Sequence, residues 1–170
     1  YNRWLQEFCE GLPNRLFGMP QLVMETPEKG IEEIRKAKEM GFKGVMMPGE
    51  PGYEDYHHLD YDRFYEAAVD LEMPLSFHIL TSKKDNLRDY RGPKINSFQT
   101  IIRGNQDIIG TFVFGGVFER HPNLKLVCVE ADAGYMAPQT PVSVAHMEAE
   151  GVSPVFVTYL RDTFRMVEPL

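Results

Sequence analysis

Two residues stand where proteins of parallel α/β build place their chemistry. His78 lies near the C-terminal end of a short apolar run, Pro74 to Thr81, and Glu130 closes a second run that begins at Lys125. Runs of this length, bounded by proline or polar residues, have the pattern of buried strands. Reactive groups in parallel α/β proteins gather at the C-terminal ends of strands, where the βα loops begin. His78 can supply one nitrogen to a divalent cation, and Glu130 an oxygen ligand or an acceptor for bound water. These two are the candidate catalytic and metal-binding residues. The plain alternative for His78 is a core histidine hydrogen-bonded to a neighbour, as most buried polar groups are. A catalytic metal wants at least three protein ligands and an open position, so two candidates alone do not make a tight site.

The loop that leaves the His78 run, Ser82 to Asn96, carries Lys83, Lys84, Arg88, Arg91 and Lys94 against Asp85 and Asp89. Of these, Lys83, Arg88 and Arg91 are the candidates for holding a substrate carboxylate; the bland explanation is an ordinary solvated loop. The other histidines offer less. His57 and His58 are chain neighbours in an acidic loop and are expected to point apart. His121 precedes Pro122 at a helix end, where a structural turn explains it, and His146 sits among Met147, Glu148 and Glu150 on a solvated face. No Gly-x-Ser-x-Gly elbow, phosphate-binding loop or dinucleotide glycine fingerprint occurs, and Gly115-Gly116 is a lone pair of little diagnostic value.

The elements that must position His78 and Glu130 alternate between strand and helix. Tyr1 to Leu12 has a helical stripe at Trp4, Leu5, Phe8 and Leu12. Residues 15–24 resemble a strand in which Pro20 is the weak point. Thr26 is a good N-cap with Pro27 at the first helical position, Ile31, Ile34 and Met40 share one face, and Gly41 is placed to end the helix. Lys43 to Met47 is a short strand. Asp60 is expected to cap a helix lined by Phe64, Ala67, Ala68 and Leu71, which leads to the His78 strand. Residues 97–120 are mostly helical, with Ile101, Ile102, Ile108, Ile109, Phe112 and Val113 inward, and lead to the Glu130 strand. Val155 to Thr158 is a further strand candidate. About five parallel strands with intervening helices result, an α/β chain. A closed (β/α)8 barrel needs eight strands and roughly 250 residues, so 170 residues supply part of one, or a smaller open sheet.

Composition narrows the partners. With 43% hydrophobic and 25% charged residues the chain is globular, and the longest apolar patch, Thr111 to Phe118, is too short to cross a bilayer. A formal net charge of −7 argues against a nucleic-acid partner. Cys9 and Cys128 lie far apart in sequence and fit apolar fillers in a reduced, cytoplasmic setting. No secretory leader opens the chain, which begins at Tyr1 rather than Met.

The run Gly116-Val117-Phe118-Glu119-Arg120-His121-Pro122-Asn123-Leu124-Lys125-Leu126-Val127 resembles a motif of the amidohydrolase-related, metal-dependent barrel family, which includes aminocarboxymuconate-semialdehyde decarboxylase and other nonoxidative decarboxylases of small aromatic acids. Asp60-Tyr61 through Pro74-Leu75-Ser76-Phe77-His78 is similar to that family's helix followed by a strand ending in a metal-binding histidine. Glu130 with Asp132, Ala133, Gly134 and Tyr135 resembles the next strand end, and Tyr1 to Leu5 with Asn14-Arg15-Leu16 the helix before the third strand. The resemblance covers residues 1–138 well and the divergent tail, 139–170, loosely.

It implies one incomplete barrel domain over residues 1–170 and a divalent metal, zinc ahead of manganese. The implied activity is hydrolysis or nonoxidative decarboxylation of a small, aromatic-type carboxylate by a homo-oligomer. The chain lacks the family's opening His-x-His pair and its late Ser-Asp-Tyr-Pro-His-like aspartate. The competing expectation is therefore a catalytically inactive fragment or subunit whose open sheet edge needs a partner chain.

Overall fold

The structure, a computed structural model, describes residues 1–13, 15–78, 92–93 and 97–130, with side chains from 104 onward in the last stretch. Three strands form a parallel sheet in the order β1 (Val45–Met47), β2 (Leu75–His78) and β3 (Leu126–Val129). Parallel neighbours cannot be joined by a tight turn, so each crossover is helical. Helix α3 (Asp62–Asp70) carries the chain from β1 to β2; α4 (Ser97–Phe114) and the single turn α5 (Val117–Arg120) lie between β2 and β3. Helices α1 (Asn2–Glu10) and α2 (Pro27–Glu39) precede β1.

The α2 boundaries follow from the residues that bracket it. The Thr26 hydroxyl accepts from the Lys29 amide at 3.2 Å, and Pro27 occupies the first turn, where its missing N–H costs nothing. At the far end Gly41 turns left-handed, φ +88°, and the Phe42 amide reaches back to the Ala37 carbonyl at 3.2 Å. Helix α3 ends in the same way with a residue that carries a side chain: Glu72 adopts φ +52° and the Met73 amide bonds the Ala68 carbonyl at 2.9 Å. Lys38 of α2 donates to the Leu71 carbonyl at 2.6 Å, setting a cation on the negative end of α3.

Side chains alternate across the sheet. Val45, Met47, Leu75 and Phe77 face the helices and are fully buried with Ile34, Phe64, Tyr65 and Phe112. Aromatic rings dominate this layer: Phe77 lies 5.3 Å from Tyr56 and 5.7 Å from Phe112 between ring centres, edge to face in both cases. Tyr56 also donates its hydroxyl to the Pro48 carbonyl at 2.6 Å, tying the loop after β1 to that strand's end. The opposite face carries the rows Met46–Ser76–Val127 and His78–Val129.

Several expectations change. The strand foreseen over 15–24 is reduced to one parallel bridge, Gln21 to Met46. Pro20 brings only a carbonyl, which accepts from the Met46 amide at 2.9 Å, and a side chain supplies what the next strand would have given. Asn2 of α1 donates to the Gln21 carbonyl and accepts from the Gln21 amide, both at 3.0 Å. Asp60 caps no helix. It sits inside a 3-10 turn, Leu59–Tyr61, whose N-cap is His58, because the chain tightens there before α3 begins. Trp4 and Phe8, placed on the α1 stripe, are exposed and stack on each other 5.5 Å apart. The helix foreseen over 97–120 breaks at Gly115-Gly116, where Gly116 is left-handed and a side chain at Gly115 would run into His57. Among the described residues three strands and one bridge stand against the five expected; the candidate at 155–158 and the whole tail, 139–170, lie outside them.

Candidate active site

The site is built from two strand ends. In β2 the alternation that buries Phe77 against the helices turns His78 to the other face, and His78 pairs with Val129 in the sheet register. Strand β3 stops at Val129, and Glu130 then turns left-handed at φ +58°. That backbone state is rare for a residue with a Cβ and costs roughly 1–2 kcal/mol. It carries the carboxylate back toward β2, and Glu130 Oε2 stands 3.4 Å from His78 Nε2. The imidazole is 28% exposed and the carboxylate 62%, so the pair meets at the rim of the sheet, open to solvent.

The separation decides what the pair can do. A zinc–nitrogen and a zinc–oxygen bond of about 2.1 Å each, at a tetrahedral angle, place their donor atoms about 3.4 Å apart. The donors are also of suitable chemistry, an imidazole nitrogen and a carboxyl oxygen. The same separation admits a long charge-assisted contact when the imidazole is protonated. Among the described residues no group of three or more His, Cys, Asp or Glu side chains converges as a metal cage would require. His78 and Glu130 therefore fit two positions of a metal's shell.

Asn105 shapes this corner from the helix layer, and its spacing alone did not mark it as functional. Its side-chain amide, 2% exposed, donates to the Val129 carbonyl at 3.0 Å. A polar residue within the apolar stripe of α4 was the available signal. Cys128 lies between Val129 and Val127 on the helix-facing side, and burial pushes its thiol up to about 11, the wrong direction for a nucleophile. It is a free thiol, as is Cys9.

The remaining site expectations resolve unevenly. Lys83, Arg88 and Arg91 lie outside the described residues, as does His146. His58 is exposed, and its Nδ1 accepts from the Asp60 amide at a long 3.4 Å. His57 contributes its backbone carbonyl to Arg120 at 3.3 Å. His121 has more than a turn to explain it: Nε2 is 3.0 Å from Asp62 Oδ1, and Arg120 Nε bonds both oxygens of the same carboxylate at 2.9 and 3.1 Å. This cluster belongs to the helix layer and not to the His78 rim.

Comparison with known proteins bears on the whole arrangement. The sequence matches the amidohydrolase family over residues 1–149. Among solved structures the chain is similar to an amidohydrolase from Mycobacterium avium subsp. paratuberculosis K-10, with TM-score 0.73 and 20% identity over 94% of this chain and 44% of that one. It is similar to 5-carboxyvanillate decarboxylase from Sphingomonas paucimobilis, with TM-score 0.73 and 17% identity over 94% of this chain and 50% of that one. It is also similar to a dihydroxybenzoic acid decarboxylase from Polaromonas sp. JS666, solved with manganese and 2-nitroresorcinol, with TM-score 0.57 and 26% identity over 75% of this chain and 41% of that one. The chain thus spans half or less of the length of each of these structures. With the family match running from the first residue through both strand ends, the chain belongs to the amidohydrolase family.

Proposed function

We propose that this chain supplies part of the active site of a divalent-metal-dependent, nonoxidative decarboxylase of a small aromatic carboxylate, within a (β/α)8 barrel of which it forms one section. The single observation that carries the proposal is the 3.4 Å approach of His78 and Glu130 at the ends of adjacent parallel strands. Support for decarboxylation over hydrolysis comes from the structural relatives, two of which are decarboxylases of hydroxylated aromatic acids. Manganese, ranked behind zinc on the sequence, is the metal with which one of those relatives was solved.

In this reading His78 presents Nε2 as a neutral donor, which places its proton on Nδ1. Glu130 offers a carboxylate oxygen beside it. When bound, a divalent cation there supplies a positive centre that orients the substrate and offsets the charge that develops as carbon dioxide leaves. Lys83, Arg88 and Arg91 hold the substrate carboxylate by charge-assisted hydrogen bonds. A third ligand is required as well, and a general acid that delivers a proton to the ring carbon as its bond to the departing carbon dioxide breaks; both are assigned to parts of the protein other than the described residues.

The test is release of carbon dioxide from 2,6-dihydroxybenzoate and 5-carboxyvanillate by the purified protein, with and without added Mn²⁺ or Zn²⁺. Metal-dependent release that falls about 100-fold or more in His78→Ala is the expected result. Release that persists in His78→Ala would count against the role of His78, and protein that retains stoichiometric metal yet turns over neither acid would count against decarboxylation.

A further inference from the structure

We infer that Asn105 is a positioning residue for the His78–Glu130 pair: its side-chain amide, donated to the Val129 carbonyl, fixes the peptide plane that leads into Glu130 and so aims the carboxylate at His78. The inference starts from a polar group where an apolar one is expected. Asn105 lies on α4 in line with Ile108 and Phe112, both buried, and is itself 2% exposed. An amide buried in that stripe is costly unless it is bonded, and its partner, at 3.0 Å, is the last carbonyl of β3.

That carbonyl is one end of a rigid unit. The peptide between Val129 and Glu130 is planar, so holding its oxygen also fixes the direction of the Glu130 amide and the position of the Glu130 Cα, from which the side chain departs. Glu130 adopts φ +58°, a state that persists in non-glycine residues only where the surroundings over-determine it. Asn105 holds, from the helix layer, the peptide on which that turn is built. Val129 is also the register partner of His78, so this peptide leaves β3 directly beside that histidine. The role deepens the proposed metal site, and rests on that reading only for the part of the test that uses metal.

Three variants and two readouts test it in the full chain. Asn105→Leu keeps the shape and suits the apolar stripe while removing the donor, Asn105→Ala removes it with less bulk, and Asn105→Gln keeps an amide on a longer arm. In the metal-free protein, nuclear magnetic resonance reads the amide–α-proton coupling of Glu130 and the Overhauser contact between the His78 ring and the Glu130 side chain. Both signatures are expected to be lost in Leu and Ala and at least partly retained in Gln, with the Phe77 and Phe112 ring signals unmoved. In the second readout Mn²⁺ affinity is expected to weaken about 10–100-fold in Asn105→Leu, and to show no further loss when the same change is made in Glu130→Ala.

Left-handed Glu130 and an intact His78 contact in both Leu and Ala would overturn the inference. So would equal weakening of Mn²⁺ binding with and without the Glu130 side chain. Should Leu disturb the core signals, Ala decides. If the unsubstituted protein binds no Mn²⁺, the metal site fails while the metal-free readout still decides the role of Asn105.

Discussion

Asp62 and Glu130 are both carboxylates beside a histidine, and their surroundings give them different work. Asp62 is held by Arg120 through both oxygens and by His121 through one, while Arg120 also bonds the Gly115 carbonyl at 2.9 Å. The cluster locks the break between α4 and α5 onto the start of α3. Removing the carboxylate leaves a half-buried guanidinium short of its charged partner, and hydrogen bonds to charged groups contribute about 1.5–3 kcal/mol. Asp62→Ala is accordingly expected to lower stability by about 2 kcal/mol, seen as a lower urea midpoint at unchanged slope; a loss under about 0.5 kcal/mol would contradict this role. Glu130, by contrast, spends backbone strain to reach His78. The convergence of His78 and Glu130 was legible in the sequence because strand ends fix which residues meet. The Asp62 cluster was not, since its members lie 58 and 59 residues apart and only packing brings them together.

At the level of elements, the two helix ends that match in geometry differ in residue. Gly41 and Glu72 occupy the same left-handed position after α2 and α3, each followed by an amide that reaches back into the helix. Glycine announces such a turn and glutamate does not, so the first was legible in advance and the second only in the structure. Glu72→Gly is expected to raise stability by about 1 kcal/mol, as relief of the left-handed strain exceeds the added freedom of the unfolded chain. An unchanged or lower urea midpoint would show that Glu72 is held there by interactions worth more than the strain. The 15–24 segment failed as a strand for an equally local reason. Periodicity recorded its apolar residues but not that Asn2 would take up both backbone groups of Gln21.

Across the whole molecule, the core is unusual in its tyrosines. Burial raises Tyr61 from 10.0 to about 12, and Tyr56 and Tyr65 further still, while Cys128 moves from 9.0 to about 11. Each is neutral when protonated and is held so by desolvation of its charged form. A raised value in the folded state means that the unfolded chain releases the proton first. The associated stability is therefore complete below about pH 9 and lost as pH climbs toward 12. Thermal unfolding should show a midpoint that is flat near neutrality and falls steeply above about pH 9; a midpoint level to pH 11 would contradict the burial of these groups. Among the described residues no helix is long and apolar enough to cross a membrane.

The same scale sets the limit of what one chain accomplishes. It spans half or less of its solved relatives and carries, on one rim, two donors of a proposed larger site. Anomalous diffraction at the manganese edge, from crystals of the protein soaked in Mn²⁺, examines that site directly. One peak within about 2.3 Å of both His78 Nε2 and a Glu130 carboxylate oxygen is the predicted result. A peak elsewhere, with His78 and Glu130 still 3.4 Å apart and bare, would contradict it.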